Sequence, residues 1–224
     1  MGQQVLLDIA GSFVIGGVLF LTILTFTTRN YETKVKIRDE GATIKEIKNT
    51  MEIIEEDFRR IGYCALPSKI VRPIITIAKD NQIKFKTDEL TSNTSVGNLE
   101  MDYIEYKLEG KNAAAVNPNA KRLVRYVRDN NDNIKWRSVF SVTKFNLKYY
   151  NRFGKEITPP ITGGTLDEIR FVGLEIEIEN DYPLRSSDNL NNFVTAVSSW
   201  KQLYIAIQNF GIASNTQSSN QNQN

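Results

Sequence analysis

Residues Val5–Thr28 read VLLDIAGSFVIGGVLFLTILTFTT, and Asp8 is the one ionisable side chain among them. A helix of this length spans roughly 36 Å at about 1.5 Å per residue, more than the ~30 Å hydrocarbon core of a bilayer. The stretch predicts a transmembrane helix. Its rival is a secretory signal peptide, with a basic leader, an apolar core of about 7–15 residues and a small-residue cleavage site. Here the apolar run is longer, no Lys or Arg comes before it, and Thr27-Thr28-Arg29-Asn30 follows. We therefore read residues 1–29 as a retained anchor. Asp8 lies near the membrane edge, where it either snorkels to the headgroups or pairs with a positive group on a packed neighbour. Ser12 and Gly16 form a small-xxx-small step that lets helices approach closely, and Gly16-Gly17 weakens the helix locally, by about 1 kcal/mol per Gly relative to Ala. Arg29, Lys34, Lys36 and Arg38 follow the anchor, and the positive-inside rule alone would leave the rest of the chain in the cytoplasm.

Working outward, no proline interrupts the chain between Met1 and Leu66, so the helix is free to continue beyond the membrane. Ile44, Ile47, Met51, Ile54, Phe58 and Ile61 recur at alternating steps of three and four, one apolar stripe on a helix. Glu55–Arg59 and Glu56–Arg60 add i,i+4 pairs in the favourable order. The stripe is short for a self-sufficient coiled coil and predicts a stem, residues 30–62, packed on the protein's own sheet. Unbroken from Val5 to Ile61, the helix would reach roughly 85 Å. Gly41 is a candidate bend, and Gly62 and Pro67 are stop signals.

After Pro67 the period changes from 3.6 to 2. Expected strands are Ile70–Ala78, Gln82–Lys86, Met101–Leu108, Leu123–Arg128, Ile134–Val139, Thr143–Tyr150, Ile169–Ile178 and Trp200–Gln208. Leu174–Asn180, LEIEIEN, is the best patterned, with apolar and acidic faces alternating. Tight turns are expected at Lys79–Gln82, Asn130–Asn133 and Asn151–Gly154. Strands joined by turns, with no helices between, imply an antiparallel sheet over residues 63–212. Residues 213–224, nearly all Ser, Asn and Gln, form a polar tail. The fold class is α+β.

The chemistry-bearing residues are sparse. The chain has 224 residues, 41% hydrophobic and 24% charged, the composition of a globular protein. The roughly 195 residues after the anchor suffice for one domain with its own core. A net charge of +2 is too small to suggest a nucleic-acid partner. Without any His, and with Cys64 as the one Cys, His-based catalysis, His-ligated metals and an internal disulfide are excluded. No GxSxG elbow, P-loop, GxGxxG or HExxH occurs. Acidic runs at Glu55-Glu56-Asp57 and at Glu175, Glu177 and Glu179 would support acid/base work only if burial split their pKa values, and alternating strand carboxylates read as a solvated face. Asp129–Asn133 offers oxygens for Ca²⁺ but lacks the EF-hand spacing, and reads as a turn. Asn93-Thr94-Ser95 fits a glycosylation sequon. Cys64 reads as a small buried hydrophobe. Phe145, Tyr149, Tyr150, Trp136 and Trp200 read as core. We expect no catalytic residue, cofactor, metal or small-molecule substrate, and no enzyme.

The layout resembles type IV pilins and pseudopilins, most closely the W-type minor pilins and the J-type minor pseudopilins of type II secretion. A short leader ending in Gly, an apolar helix with an acid near its start, an amphipathic stem and an antiparallel sheet carry the likeness. IIEEDFRRIGYCA at Ile53–Ala65 resembles the stem end of that group, VTKFNLKYYNRFGKEI at Val142–Ile157 its strand–turn segment, and LDEIRFVGLEIEIEN at Leu166–Asn180 the following strand. The resemblance implies a filament subunit whose leader is cut after Gly2, leaving Gln3 first. It implies an acid that meets a neighbouring subunit's N-terminal amine. The family's acid stands fifth in the mature chain; here the fifth residue is Leu7 and Asp8 stands sixth. The implied assembly contacts are Asp8, Ser12, Gly16 and Gly17. The implied partners are other copies or other pilin-like subunits, at the inner membrane with the domain outside, or in an extracellular filament. The competing expectation is a single-pass protein whose β-domain binds a partner without polymerising.

Overall fold

The computed structural model of the protein describes residues 2–88, 100–115, 117–179, 184–185, 193–194 and 198–207. Side chains are described for these except at 3–8, 39, 184–185, 193–194 and 198–203. The sequon at Asn93 and the polar tail lie outside the described residues. The class is α+β: one long N-terminal helix followed by antiparallel sheets.

Helix α1 runs Gly2–Arg59, through Gly41 and without interruption in its helical assignment. The chain divides within it into two compact units, residues 1–42 and 43–224. In the first unit the helix is bare. Phe13, Val14, Leu19, Phe20, Ile23 and Phe26 are all exposed. The threonines here satisfy their own hydroxyls: Thr22 donates to the Val18 carbonyl at 2.8 Å, Thr25 to Leu21 at 2.7 Å and Thr28 to Leu24 at 2.9 Å. Back-bonding of this kind lets a hydroxyl sit where no water is at hand.

In the second unit the helix becomes the stem. Met51, Ile54, Phe58 and Ile61 have no exposure and Ile47 has 5%, as the stripe predicts. Ile44 departs from it, being 56% exposed, while Thr43 beside it is buried. The cause is helical phase. At about 100° per residue, the buried positions Thr43, Ile47, Thr50, Met51, Ile54, Asp57, Phe58 and Ile61 fall within about 60° of the Ile54 direction, and Ile44 falls about 80° away. A strict seven-residue repeat drifts by about 20° per heptad on a straight helix, so the step from Phe58 through Met51 to Ile44 rotates off the contact face. The helix ends at Arg59, two residues before Ile61: Arg60 and Ile61 N–H groups bond back three residues to Asp57 and Phe58, and Gly62 at φ 76° takes the left-handed conformation that stops the helix.

A 3₁₀ turn at Pro67–Lys69 leads into β1 (Ile75–Ala78), β2 (Gln82–Thr87), β3 (Asp102–Lys111), β4 (Lys121–Arg128) and β5 (Ile134–Val142), an antiparallel meander in chain order. Then follow β6 (Lys144–Tyr150), β7 (Glu156–Ile157), β8 (Phe171–Glu179), β9 (Leu184–Arg185), β10 (Phe193–Val194) and β11 (Ser198–Ala206). The second sheet has the order β11-β8-β6-β7, and β9 and β10 form a two-residue ribbon. All eight expected strands are present, in two sheets rather than one; seven have ends within three residues of expectation, whereas β1 begins at Ile75, five residues after the expected Ile70. β7, β9 and β10, two residues each, carry no alternation to read.

The expected turns form. The Lys79 N–H donates to the Gln82 carbonyl at 2.8 Å, and the Asp129 N–H to Asn133 at 2.9 Å. In the third, Asn151 Oδ1 accepts from the N–H groups of Phe153 and Lys155, with Gly154 at φ 74°. The sheets meet where Thr143 alone separates β5 from β6 and where the Leu147 N–H donates to the Asp80 carbonyl at 2.8 Å. One core cluster joins the stem stripe to Phe85, Ile104, Tyr106, Leu123 and Val127 of the first sheet and to Leu147, Tyr149, Val172, Leu174 and Ile176 of the second.

Candidate functional site

The processing and assembly residues expected from the sequence all lie on α1. Gly2 opens the helix, and Gln3 and Asp8 are helical with side chains outside the description. Ser12, Gly16 and Gly17 follow on exposed turns. A Cβ placed on Gly16 or Gly17 would meet nothing within 4 Å. Among the described residues, nothing in this chain's own packing requires glycine there. The small residues leave a notch in a surface otherwise made of large apolar side chains.

The stem holds a polar feature that the sequence reading overlooked. Asp57, taken there as part of an acidic run, is only 4% exposed. Its carboxylate takes a two-pronged contact from Arg125 on β4, through Nε to Oδ2 and through Nη2 to Oδ1 at 2.8 Å. The Tyr106 hydroxyl on β3 donates to Oδ2 at 2.6 Å. Tyr106 and Arg125 are register partners on adjacent strands, so the sheet presents both donors side by side. The Phe58 ring packs edge-on against Phe85 and Tyr106, with centroids 5.7 Å from each. Burial by itself would lower the pKa of Arg125, but its hydrogen bond to Asp57 and that carboxylate's charge outweigh burial and raise it. Burial raises the Tyr106 pKa well above the usual value for a phenol, and the Asp57 charge adds to this. The arrangement is a clasp of two donors on one carboxylate. It fixes the stem's rotation and its height on the sheet with one charge-assisted, directional contact.

The remaining candidates resolve into local structure. Asp129 accepts hydrogen bonds from the N–H groups of Asn131 and Asn133, and Asp132 pairs with Lys84 at 2.6 Å. The acids of that turn are thus engaged in shaping it. Glu175 pairs with Lys144 at 2.6 Å, which holds its carboxyl below the usual range. Cys64 is buried, and burial pushes its thiol pKa up. Phe145 and Tyr149 are core residues, Tyr150 is half-buried, and Trp200's side chain lies outside the description. Trp136 corrects the expectation that it packs the core: it is 44% exposed on β5, which among the described residues is the edge strand of its sheet. A shallow groove of about 450 Å³ runs past Lys111, Asn119, Lys121, Thr143 and Glu177. Among the described residues, no group of three or more His, Cys, Asp or Glu side chains stands close enough to hold a metal ion.

No family model matches the chain, and comparison with curated proteins and with solved structures finds no match either.

Proposed function

We propose that the protein is a structural subunit of a filament of the type IV pilus or type II secretion kind, a pilin-like or pseudopilin-like chain. The observation that carries this reading is the division of α1. Its first part is long and apolar enough to cross a membrane, with every large apolar side chain from Ile9 to Phe26 exposed. Its last part is a stem sealed against antiparallel sheets by Ile47, Met51, Ile54, Phe58 and Ile61. A helix bare on all sides needs lipid or other helices around it, and a filament core of packed helices supplies what the bilayer supplied before assembly. The notch at Ser12, Gly16 and Gly17 and the likeness of Ile53–Ala65 to pilin stems support the same reading. Anchorage is in the inner membrane with the sheet domain outside, and the partners are further copies or related subunits. The alternative is a binding domain that never polymerises, for which the shallow groove past Lys111, Asn119, Lys121, Thr143 and Glu177 is the candidate surface.

Asp8 gives the test. In a core of packed apolar helices a carboxylate facing an N-terminal amine is strongly attracted, and unpaired it costs several kcal/mol. Asp8→Ala should keep wild-type levels in the membrane fraction while falling at least about ten-fold in sheared fibres, and Asp8→Glu should largely restore them. Equal recovery of wild type and Asp8→Ala in both fractions would sink the assembly role and leave a membrane-bound binding domain.

A further inference from the structure

We infer that the turns of α1 just past the apolar run form a cationic ring that gathers anionic lipid headgroups around the helix. This rests on the membrane-spanning reading above and adds a lipid class to it. Between Arg29 and Arg38 the chain carries four cations, Arg29, Lys34, Lys36 and Arg38, against one acid, Glu32. All four cations are exposed. Their placement decides between a lipid and a protein partner. At about 100° per residue, Arg29 and Lys36 lie about 20° apart on one side of the helix, and Lys34 and Arg38 lie about 40° apart on the opposite side. A docking protein would meet a stripe. A bilayer surrounds the helix and meets a ring.

Depth agrees with direction. Counting about 1.5 Å per residue from Thr28, the four lie roughly 1.5 to 15 Å beyond the apolar run. A headgroup layer is about 5–7 Å deep on each side, and a Debye length adds about 8 Å at physiological salt. Each cation is therefore within reach of lipid phosphates. Tyr31, 71% exposed in the same turns, belongs to the residue type that settles at this interface. The Lys36–Glu40 ion pair is long at 3.9 Å and exposed at both ends, so it competes weakly with a phosphate.

The test reconstitutes the full chain into phosphatidylcholine vesicles carrying a trace of spin-labelled phosphatidylglycerol or spin-labelled phosphatidylcholine. Electron paramagnetic resonance then reads the motionally restricted fraction of each label. The expected result is a preference for phosphatidylglycerol of about three- to five-fold at low salt, the order that a basic residue near an anionic surface contributes. It should fall toward one in 0.5 M NaCl and in the combined variant Arg29→Gln, Lys34→Gln, Lys36→Gln, Arg38→Gln. Removing four sheet-domain charges instead, by Lys107→Gln, Lys111→Gln, Lys121→Gln and Lys155→Gln, should leave it unchanged. A restricted component without preference, or an equal loss in both variants, overturns the ring and leaves the anchor standing. No restricted component with either label overturns the membrane-spanning reading and the ring with it.

Discussion

Phe20 and Phe58 are the same side chain on the same helix, yet Phe20 is 66% exposed and Phe58 is fully buried. Hydrophobicity does not separate them; the pattern around each does. Phe20 stands among Val18, Leu19, Leu21, Ile23 and Leu24, apolar on every side. Phe58 lies on a stripe, with Glu55, Glu56 and Arg59 turned to the far side, where Arg59 and Glu55 pair at 2.6 Å. A stripe needs one covering surface, and β2, β3 and β4 supply it. A helix apolar all round needs a covering medium. The helix therefore belongs to two environments, and substitutions that are chemically alike should act differently in each.

The largest contrast comes from truncating the two rings. Phe58→Ala should lose about 3–5 kcal/mol of domain stability, because the cavity opens against Phe85 and Tyr106 in a core with no slack. Phe20→Ala should leave the unfolding midpoint of the sheet domain where it was. Urea unfolding of the full chain in detergent, followed by tryptophan fluorescence, reads both. Similar losses for the two would break the division of the helix.

Next is the polar clasp. Asp57→Ala leaves the Arg125 guanidinium in a site only 13% exposed, without its carboxylate, and should cost about 3–5 kcal/mol. The double variant Asp57→Leu, Arg125→Met removes both charges and should recover most of that. A double variant no better than Asp57→Ala would show that the pair is worth more than its burial costs.

Tyr106 sharpens the same point through pH. Tyr106→Phe removes a hydrogen bond to a charged group and should cost about 1.5–3 kcal/mol at pH 8. The folded pKa of Tyr106 is raised, so its contribution is complete below the unfolded phenol pKa near 10 and drains away above it. Wild type then loses up to about 1.4 kcal/mol per pH unit relative to the Phe variant. The deficit of the variant should therefore shrink between pH 10 and 11. A constant deficit would mean that the hydroxyl ionises as readily in the folded chain as in the unfolded one.

Much of this was legible in the sequence where the signal was local. The 3,4 spacing gave the stem, LEIEIEN gave β8 (Phe171–Glu179), and Asn151 with Gly154 gave the turn after β6. The clasp was missed because its partners stand 68 and 49 residues from Asp57 in the chain, and only the fold brings them together. One clue was present. Thr50, Ile54, Asp57 and Ile61 follow steps of four, three and four, so Asp57 shares the phase of the core rather than that of Glu55 and Glu56. An acid in phase with a buried stripe is a request for a partner across the interface. Trp136 was misread for the opposite reason: strand period tells which face a residue takes, but not whether its strand is at the edge of the sheet.

The smallest expected effect tests where the stem's contact face begins. Ile44 matches the three–four spacing as well as Ile47 does, but the two differ by about 60° in direction from the helix axis. Ile47, about 20° from the Ile54 direction, is 5% exposed; Ile44, about 80° away on the same side, is 56% exposed. Ile47→Ala should cost about 2–5 kcal/mol as a core truncation. Ile44→Ala removes a side chain already half in water, and should stay within about 0.5 kcal/mol of wild type. Ile44→Glu makes the measurement stricter, since a carboxylate is tolerated on a solvated face and excluded from a packed one. If Ile44→Glu unfolds the domain, the contact face extends a turn further toward the membrane than its phase allows. If Ile44→Glu is neutral in isolated subunits yet lowers fibre yield, the exposed Ile44 side chain faces a neighbouring subunit, and the stripe serves two interfaces along its length.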